Sequence, residues 1–220
     1  MRARRPKHAV LIIDVVRSTA LADRLRPALL SRLRSLSRLH LAARRIRLPY
    51  VVTAGDEFQT LASAPGQVPI LIFELRRLFR PLVMRIGVGI GGIAGRVMAP
   101  VNLLSGEAFI LARGALESVH DSTSHRFEVL TGLRANTPGF DTIANTVYGL
   151  HDTLVQNISE KQWQTINAYL KTKRVDLTAR ALGVNLSTVS RNLKRGYLRQ
   201  LEETVATMTE FMNRSFPDCT

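Results

Sequence analysis

Two short stretches place carboxylates at the ends of apolar runs. The segment "LIIDVVRST" carries Asp14 among isoleucines and valines, and "AGDEF" carries Asp56 and Glu57 directly after a glycine. A carboxylate within an apolar strand is costly unless it is paired or bound to a metal. Mg²⁺ takes hard oxygen ligands and commonly uses one or two carboxylates together with phosphate oxygens. If the two stretches are neighbouring strands, Asp14 and Asp56 predict a divalent-cation site.

The turn after Asp14 could supply a phosphate contact to such a site. The residues "RST" lead into a helix, and the free N–H groups at the start of a helix can hold phosphate. The site would then accept a triphosphate or a cyclic nucleotide. A simpler interpretation stays open, in which Asp56 only forms a turn and Asp14 is a strand-end acid in solvent.

The hydrophobic pattern predicts the elements that position these acids. In order, it predicts a strand over 8–16, a long helix from Thr19, a hairpin with its turn at Gly55 and Asp56, a helix over 67–79, a strand from Leu82, a helix after Ser105 and a short strand over 126–132. This order, β-α-β-β-α-β-α-β, predicts an α+β fold. It is a mixed sheet with helices packed on it, close to the ferredoxin-like split β-α-β architecture.

A row of glycines marks one face of the later strand. In "LVMRIGVGIGGIAG", large apolar residues alternate with Gly87, Gly89 and Gly91, so one face of the strand has no side chains. Such a face lets another group approach closely. The sequence leaves open whether that group is a ligand or a helix.

The same motifs carry a family resemblance. "DVVRST" resembles the first-strand motif of class III nucleotide cyclases, "AGDEF" is similar to the signature of diguanylate cyclases, and "MRIGVGIGGIAG" resembles a later cyclase strand. With the "LARGAL" helix, the chain most resembles the SatD family, small bacterial proteins with a cyclase-like, GGDEF-like domain and a C-terminal helix-turn-helix. The resemblance implies a nucleotide-cyclase-type sheet with Asp14 and Asp56 at metal positions, where Mg²⁺ or Mn²⁺ would bind with a nucleotide. It implies nucleotide contacts from Arg17, Ser18, Thr19, Gly55, Glu57 and Arg113.

Two positions depart from the cyclase pattern. Cyclases generally carry an asparagine four residues before the helix arginine, and here Phe109 stands four residues before Arg113. Arg17 replaces the usual glycine of the phosphate turn. A phenyl ring offers no amide hydrogen bonds. We therefore expect a degenerate, non-catalytic domain that can still bind a nucleotide, and assign no catalytic residue.

The character of the chain changes after residue 132. Ile143, Val147, Leu150 and Leu154 form a helical stripe that could connect or dimerise two domains. Ser159 and Gln162 then have the spacing of a capping box, which predicts the start of a small all-α domain.

The segment "VDLTARALGVNLSTVSRNLKRGYLRQL" has the pattern of a helix-turn-helix. Ala179 is small where two helices cross, Gly183 lies in the turn, and Val184, Val189 and Leu193 are expected to point inward. Asn185 or Ser187 can cap the second helix, which resembles that of sigma factors and LuxR-type regulators. The candidate DNA-contacting residues are Ser187, Thr188, Ser190, Arg191, Asn192, Lys194 and Arg195. The alternative is a helical hairpin for protein contact.

Charge and composition narrow the partners. A net charge of +14 predicts a polyanionic partner, and duplex DNA is favoured over an anionic membrane. The single cysteine fits a reducing, cytoplasmic setting, and no segment approaches the roughly 20 apolar residues that span a bilayer. The arginines of the long first helix are either a solvated face or a second nucleic-acid surface.

These observations predict a cytoplasmic, homodimeric, DNA-binding transcriptional regulator. Its cyclase-like domain would sense a nucleotide or cyclic (di)nucleotide, or serve in dimerisation. The alternatives are an active metal-dependent nucleotide cyclase with an accessory helix-turn-helix, and an RNA- or protein-binding scaffold. The predicted division is a cyclase-like domain over 1–132, a connecting helix over 133–157, a helix-turn-helix domain over 158–205 and a tail over 206–220.

Overall fold

The structure, a computed structural model, describes residues 6–16, 22–98, 100–121 and 129–217. Its strands are β1 (His8–Val15), β2 (Ile46–Ala54), β3 (Glu57–Ala62), β4 (Met84–Gly91) and β5 (Thr131–Ala135). Its helices are α1 (Ala22–Ala42), α2 (Val68–Leu78), α3 (Glu107–Asp121), α4 (Phe140–Gln156), α5 (Glu160–Thr172), α6 (Val175–Leu182), α7 (Leu186–Arg195) and α8 (Leu198–Ser215). Two short 3₁₀ turns precede α2 and α3.

The five strands form one mixed sheet in the order β2-β3-β1-β4-β5. The pairs β2–β3, β1–β3 and β1–β4 are antiparallel, and β5 lies parallel to β4 after the crossover through α3. The first four strands therefore have the ferredoxin-like β-α-β-β-α-β arrangement, which confirms the predicted α+β sheet with helices. The hairpin between β2 and β3 is also confirmed, with Gly55 at φ 55° in its turn.

Alternation along β1 divides the core between the two faces of the sheet. Leu11 and Ile13 join a large cluster formed with α1, α2, α4 and the end of α8. Val10 and Ile12 point the other way and join a smaller cluster with α3. Because successive side chains of a strand point to opposite faces, β1 is buried on both, as its unbroken apolar run predicts.

The glycine face of β4 is covered by α3. A Cβ built on Gly89 would lie 2.1 Å from the carbonyl oxygen of Ala108 and 2.2 Å from the nitrogen of Ala112. On Gly87 it would lie 2.4 Å from the carbonyl oxygen of Ala112. The glycines therefore serve helix packing, and of the two groups that the sequence left open the structure selects the helix.

Helix α4 packs on the sheet through Phe140, Ala144 and Tyr148. Of the stripe predicted to connect or dimerise two domains, Ile143 and Leu150 are 50% and 68% exposed, so these two residues lie outside the core. Of the strand predicted over 126–132, residues 126–128 lie outside the described residues, and β5 runs over Thr131–Ala135.

A buried ion pair fixes α4 to the sheet. The Arg76 guanidinium, on α2, lies 3.4 Å from Asp152 on α4 and donates to the carbonyl oxygen of Leu130 at 2.9 Å. Asp152 also accepts from the backbone N–H of Leu130 at 2.9 Å. A connecting helix held in this way cannot rotate without breaking buried contacts, which argues against α4 as a freely turning linker.

The C-terminal helix α8 runs without a break across residue 205, where a tail was predicted to begin. Met208 and Met212 are buried in the same cluster as the sheet residues of β1. The division of the chain into a sheet domain and a helix-turn-helix domain stays a proposal. No helix in the described part of the chain is both long and apolar enough to cross a membrane.

Candidate functional site

The two predicted acids meet at one end of β1. Ile13 pairs with Phe58 across the β1–β3 ladder, which brings Asp14 beside the turn that carries Asp56. Asp56 lies close enough for its charge to raise the pKa of the Asp14 carboxyl. On the other side of β1, Asp14 pairs with Arg85 of β4, and the Arg85 guanidinium lies 3.7 Å from the Asp14 carboxylate.

The environment of Asp14 favours its protonated form. Burial is the largest effect, and repulsion from Asp56 adds to it, so the pKa of Asp14 rises from 3.8 to about 6. Attraction by Arg85 opposes the rise without cancelling it. A divalent cation between the two carboxylates would relieve this repulsion and favour the charged form of Asp14.

Glu57 has the opposite environment. Arg113, on α3, donates from both terminal nitrogens to its two carboxylate oxygens, with one distance of 2.8 Å. Thr53 donates to the same carboxylate at 2.8 Å. Burial alone would raise the pKa of Glu57, but the hydrogen bonds from Arg113 and Thr53 outweigh it and hold the pKa below its usual value. Glu57 and Arg113 therefore neutralise each other.

The donor set at this edge suits a hard cation. Asp14 and Asp56 offer carboxylate oxygens from two strands, which is the number that Mg²⁺ commonly takes from protein. No group of three or more metal-binding side chains occurs among the described residues, so remaining ligands would have to come from water or a nucleotide. The predicted phosphate turn, Arg17, Ser18 and Thr19, lies outside the described residues.

Two further residues shape the site. Phe109, at the position where cyclases carry asparagine, is half-buried in the apolar cluster between α3 and the sheet. Arg85 was not predicted from the sequence. It alternates in phase with Gly87 and Gly89 on β4, so it lies on the same face of the sheet as α3. Its pairing with Asp14 could be found only by knowing that β1 and β4 are neighbours.

The C-terminal helices pack around Trp163, which is fully buried with Ile166 and Leu201. The predicted capping box is present: Ser159 accepts from the backbone N–H of Gln162, whose side chain accepts from that of Ser159. Helices α6 and α7 are joined by a turn in which Gly183 has φ 64°.

Helix α7 presents a polar face. Asn185 is its cap, since its side chain accepts from the backbone N–H of Thr188 at 2.8 Å, which decides between Asn185 and Ser187. Val189 is fully buried beneath the helix. The exposed candidates are Ser187, Ser190, Arg191, Lys194 and Arg195, and Thr188 is half-buried.

Two predicted orientations on α7 and its turn are wrong. Asn192 is half-buried, and its amide donates to the Thr165 hydroxyl at 3.0 Å, so it points at α5 rather than outward. Val184 is 39% exposed rather than inward. Ala179 and Val189, by contrast, are buried as predicted.

The fold and the site define an α+β protein with a ferredoxin-like sheet, a carboxylate pair at the end of its central strand, and a group of short C-terminal helices. The chain belongs to the SatD family, whose profile matches residues 8–199. No match to a curated protein was found.

Solved structures of cyclases are similar to part of this chain at low sequence identity. The dimeric guanylyl cyclase domain of the RhoGC fusion protein from the fungus Blastocladiella emersonii is 18% identical and covers 52% of this chain and 74% of its own, with a TM-score of 0.39. A bacterial light-regulated adenylyl cyclase is 15% identical, covering 58% and 75%, with a TM-score of 0.41. The adenylyl cyclase CyaB from P. aeruginosa is 20% identical, covering 52% and 72%, with a TM-score of 0.37.

Proposed function

We propose that the chain is a DNA-binding regulator that reads duplex DNA through α7. The observation that carries the proposal is the exposed polar face of a capped helix whose opposite side is anchored by Val189. Arg191, Lys194 and Arg195 make no ion pair with any residue that the structure describes. Serine, arginine and lysine are the types that reach base edges and phosphates in the major groove.

The test is selection of a preferred site from a random duplex pool by the full chain, followed by mobility-shift titration. Arg191→Ala should cost about 1–3 kcal/mol at the selected site if Arg191 contacts a base, and Lys194→Ala should weaken selected and random duplexes alike. Arg214→Ala is the control, because Arg214 is exposed on α8 and paired with Glu210. The proposal fails if no sequence is enriched, or if Arg191→Ala behaves like the control.

Deleting residues 158–220 is a poor test. Met208 and Met212 of α8 are buried against the sheet, so a truncated chain would lose part of its core as well as α7. Substitutions on the exposed face of α7 avoid this.

We further propose that the acid pair binds a cation together with a nucleotide or cyclic (di)nucleotide, without turnover. Asp14 and Asp56 would hold the cation, and a nucleotide phosphate would complete its ligands. Phe109 fills apolar space where the amide of a cyclase would act, so we expect no cyclic product from ATP or GTP with Mg²⁺ or Mn²⁺. Cyclic or dinucleotide product that disappears in Asp56→Ala would support the active cyclase instead.

A thermal-shift panel of nucleotides with and without Mg²⁺ tests binding. Stabilisation that requires both the metal and Asp14 supports a sensor, and Asp14→Asn is the matched variant because it keeps the shape and removes the charge. No stabilisation by any nucleotide would leave the sheet domain as a dimerisation unit. The homodimer is part of this proposal, because a single reading helix buries little DNA and paired half-sites supply affinity.

The remaining alternative is a scaffold that binds RNA or protein. It predicts no enrichment of any duplex sequence and no response to nucleotides. Duplex selection, the assay for cyclic product and the thermal-shift panel therefore separate the three functions.

A further inference from the structure

Helix α1 carries a concentration of positive charge that the function proposed above does not use. Between Asp23 and Asp56 the chain has no acidic residue. Residues 22–47 contain eight arginines, no lysine and one aspartate, a net +7 that is half of the +14 of the whole chain. The charge is therefore gathered on α1, the turn after it and the start of β2.

The outer face of α1 is exposed and mainly polar, with Leu39 and Leu41 as exposed leucines near its end. Leu33 and Leu36 are buried against the sheet, and helical periodicity places Arg34 and Arg38 on the side away from them. Both arginines are exposed, as are Ser31 and Ser35 on the same side of the helix, and Arg44 in the turn that follows. We call Ser31, Arg34, Ser35, Arg38 and Arg44 the α1 basic face.

No acid within the described residues balances this face. The guanidinium groups of Arg34, Arg38 and Arg44 make no ion pair and no hydrogen bond with a described residue. The guanidinium of nearby Arg45, by contrast, pairs with Glu74. Arg34 and Arg38 are four residues apart, and like charges at this spacing oppose helix formation. A helix that keeps such a pair unneutralised gains nothing from it in folding.

Local backbone needs do not account for the arginines either. Arg44 has φ 53°, the left-handed conformation in which glycine is usual after a helix. Interaction with the helix dipole is confined to the last turn. It therefore cannot explain Arg34, which lies two turns before the end of α1 at Ala42.

We propose that the α1 basic face is a second nucleic-acid surface, which holds the phosphate backbone of duplex DNA independently of base sequence. Arginine forks and serine hydroxyls are the groups that contact phosphate. The inference rests on the DNA binding proposed for α7. The α1 basic face would add affinity for any duplex, whereas α7 would supply the preference for a base sequence.

An anionic membrane is the competing partner for a basic helix. A helix that lies on a membrane buries its own apolar face among the lipids. The inward leucines of α1 are already buried, since Leu33 and Leu36 are 3% and 5% exposed, and Leu39 and Leu41 near the end of the helix leave only a small exposed apolar area. A phosphate backbone needs only the charged face, so DNA is the partner that fits.

The experiment measures how the affinity of the full chain for a random-sequence duplex depends on salt. The variants are Arg38→Gln and the double Arg34→Gln/Arg38→Gln. The control Arg214→Gln removes one charge from an arginine that pairs with Glu210. Each phosphate contact contributes about 0.9 to the slope of log K against log salt. The slope should therefore fall by about 0.9 in Arg38→Gln and by about 1.8 in the double Gln variant. The double variant Arg34→Lys/Arg38→Lys keeps both charges and should keep most of the slope.

The inference is overturned if the slopes of the two variants match that of the control. It is also overturned if the double variant loses binding to phosphatidylserine vesicles but keeps its slope on DNA. Thermal unfolding confirms that each variant is folded. The selected-site titration with Arg191→Ala separates this inference from the proposed function: loss of sequence preference belongs to α7, and loss of salt slope in the Gln variants belongs to α1.

Discussion

Adding one methyl group at Gly89 should separate α3 from the sheet. The new Cβ would lie 2.1 Å from the Ala108 carbonyl oxygen and 2.2 Å from the Ala112 nitrogen, where ordinary contact begins at 3.4 Å. These are backbone atoms, so no side chain can swing away and the helix must move by about 1 Å. Overpacking of this kind costs about 1–3 kcal/mol, occasionally more.

The same substitution at Gly149 is the matched control. Gly149 lies inside α4, and a Cβ there would meet nothing within 4 Å. Alanine is favoured over glycine in a helix interior by about 0.5–1 kcal/mol, so Gly149→Ala should stabilise the protein. Identical chemistry should therefore give opposite signs at two positions of one chain.

Urea unfolding followed by circular dichroism measures both free energies. Trp163 is the single tryptophan and lies among the C-terminal helices, so its fluorescence shows separately whether they unfold with the sheet. If Gly89→Ala were as stable as the wild type, α3 would not approach β4 as closely as described. The displacement should also weaken the ion pair between Arg113 on α3 and Glu57, with a rise in the pKa of Glu57 that carboxylate-detected NMR can follow.

Three further perturbations have definite outcomes. Because folding raises the pKa of Asp14 from 3.8 to about 6, the wild type should lose stability as pH rises through this interval. Urea unfolding at several pH values should show a smaller loss for Asp14→Asn, which should be more stable than the wild type at pH 7. A wild type that loses no stability in this interval would contradict the prediction. Asp152→Ala should cost about 3–5 kcal/mol because it leaves the buried Arg76 without its partner, and retention of wild-type stability in the same assay would show that Arg76 is not held by Asp152. Ser159→Ala should cost about 1 kcal/mol through loss of the cap, whereas an unchanged free energy would mean that the capping box contributes nothing to α5.

Much of the fold follows from local sequence. Alternation and apolar runs predict the strands, the glycine before Asp56 predicts the hairpin turn, and the spacing of Ser159 and Gln162 predicts the start of α5. These features depend on neighbours within a few residues, whose backbone preferences act in any context. The proximity of Asp14 and Asp56 also follows, because the order of elements makes their strands neighbours.

Other features required the tertiary structure. Arg113 and Glu57 are 56 residues apart, and their pairing depends on which face of the sheet α3 covers. The pairing of Asp14 with Arg85 depends on the β1–β4 register, and the inward turn of Asn192 depends on the position of Thr165 on α5. Which face of α4 is buried depends on where the sheet and α8 lie against it. Local sequence sets what each segment can bury, but the energy of burial is decided by what the rest of the chain places against it.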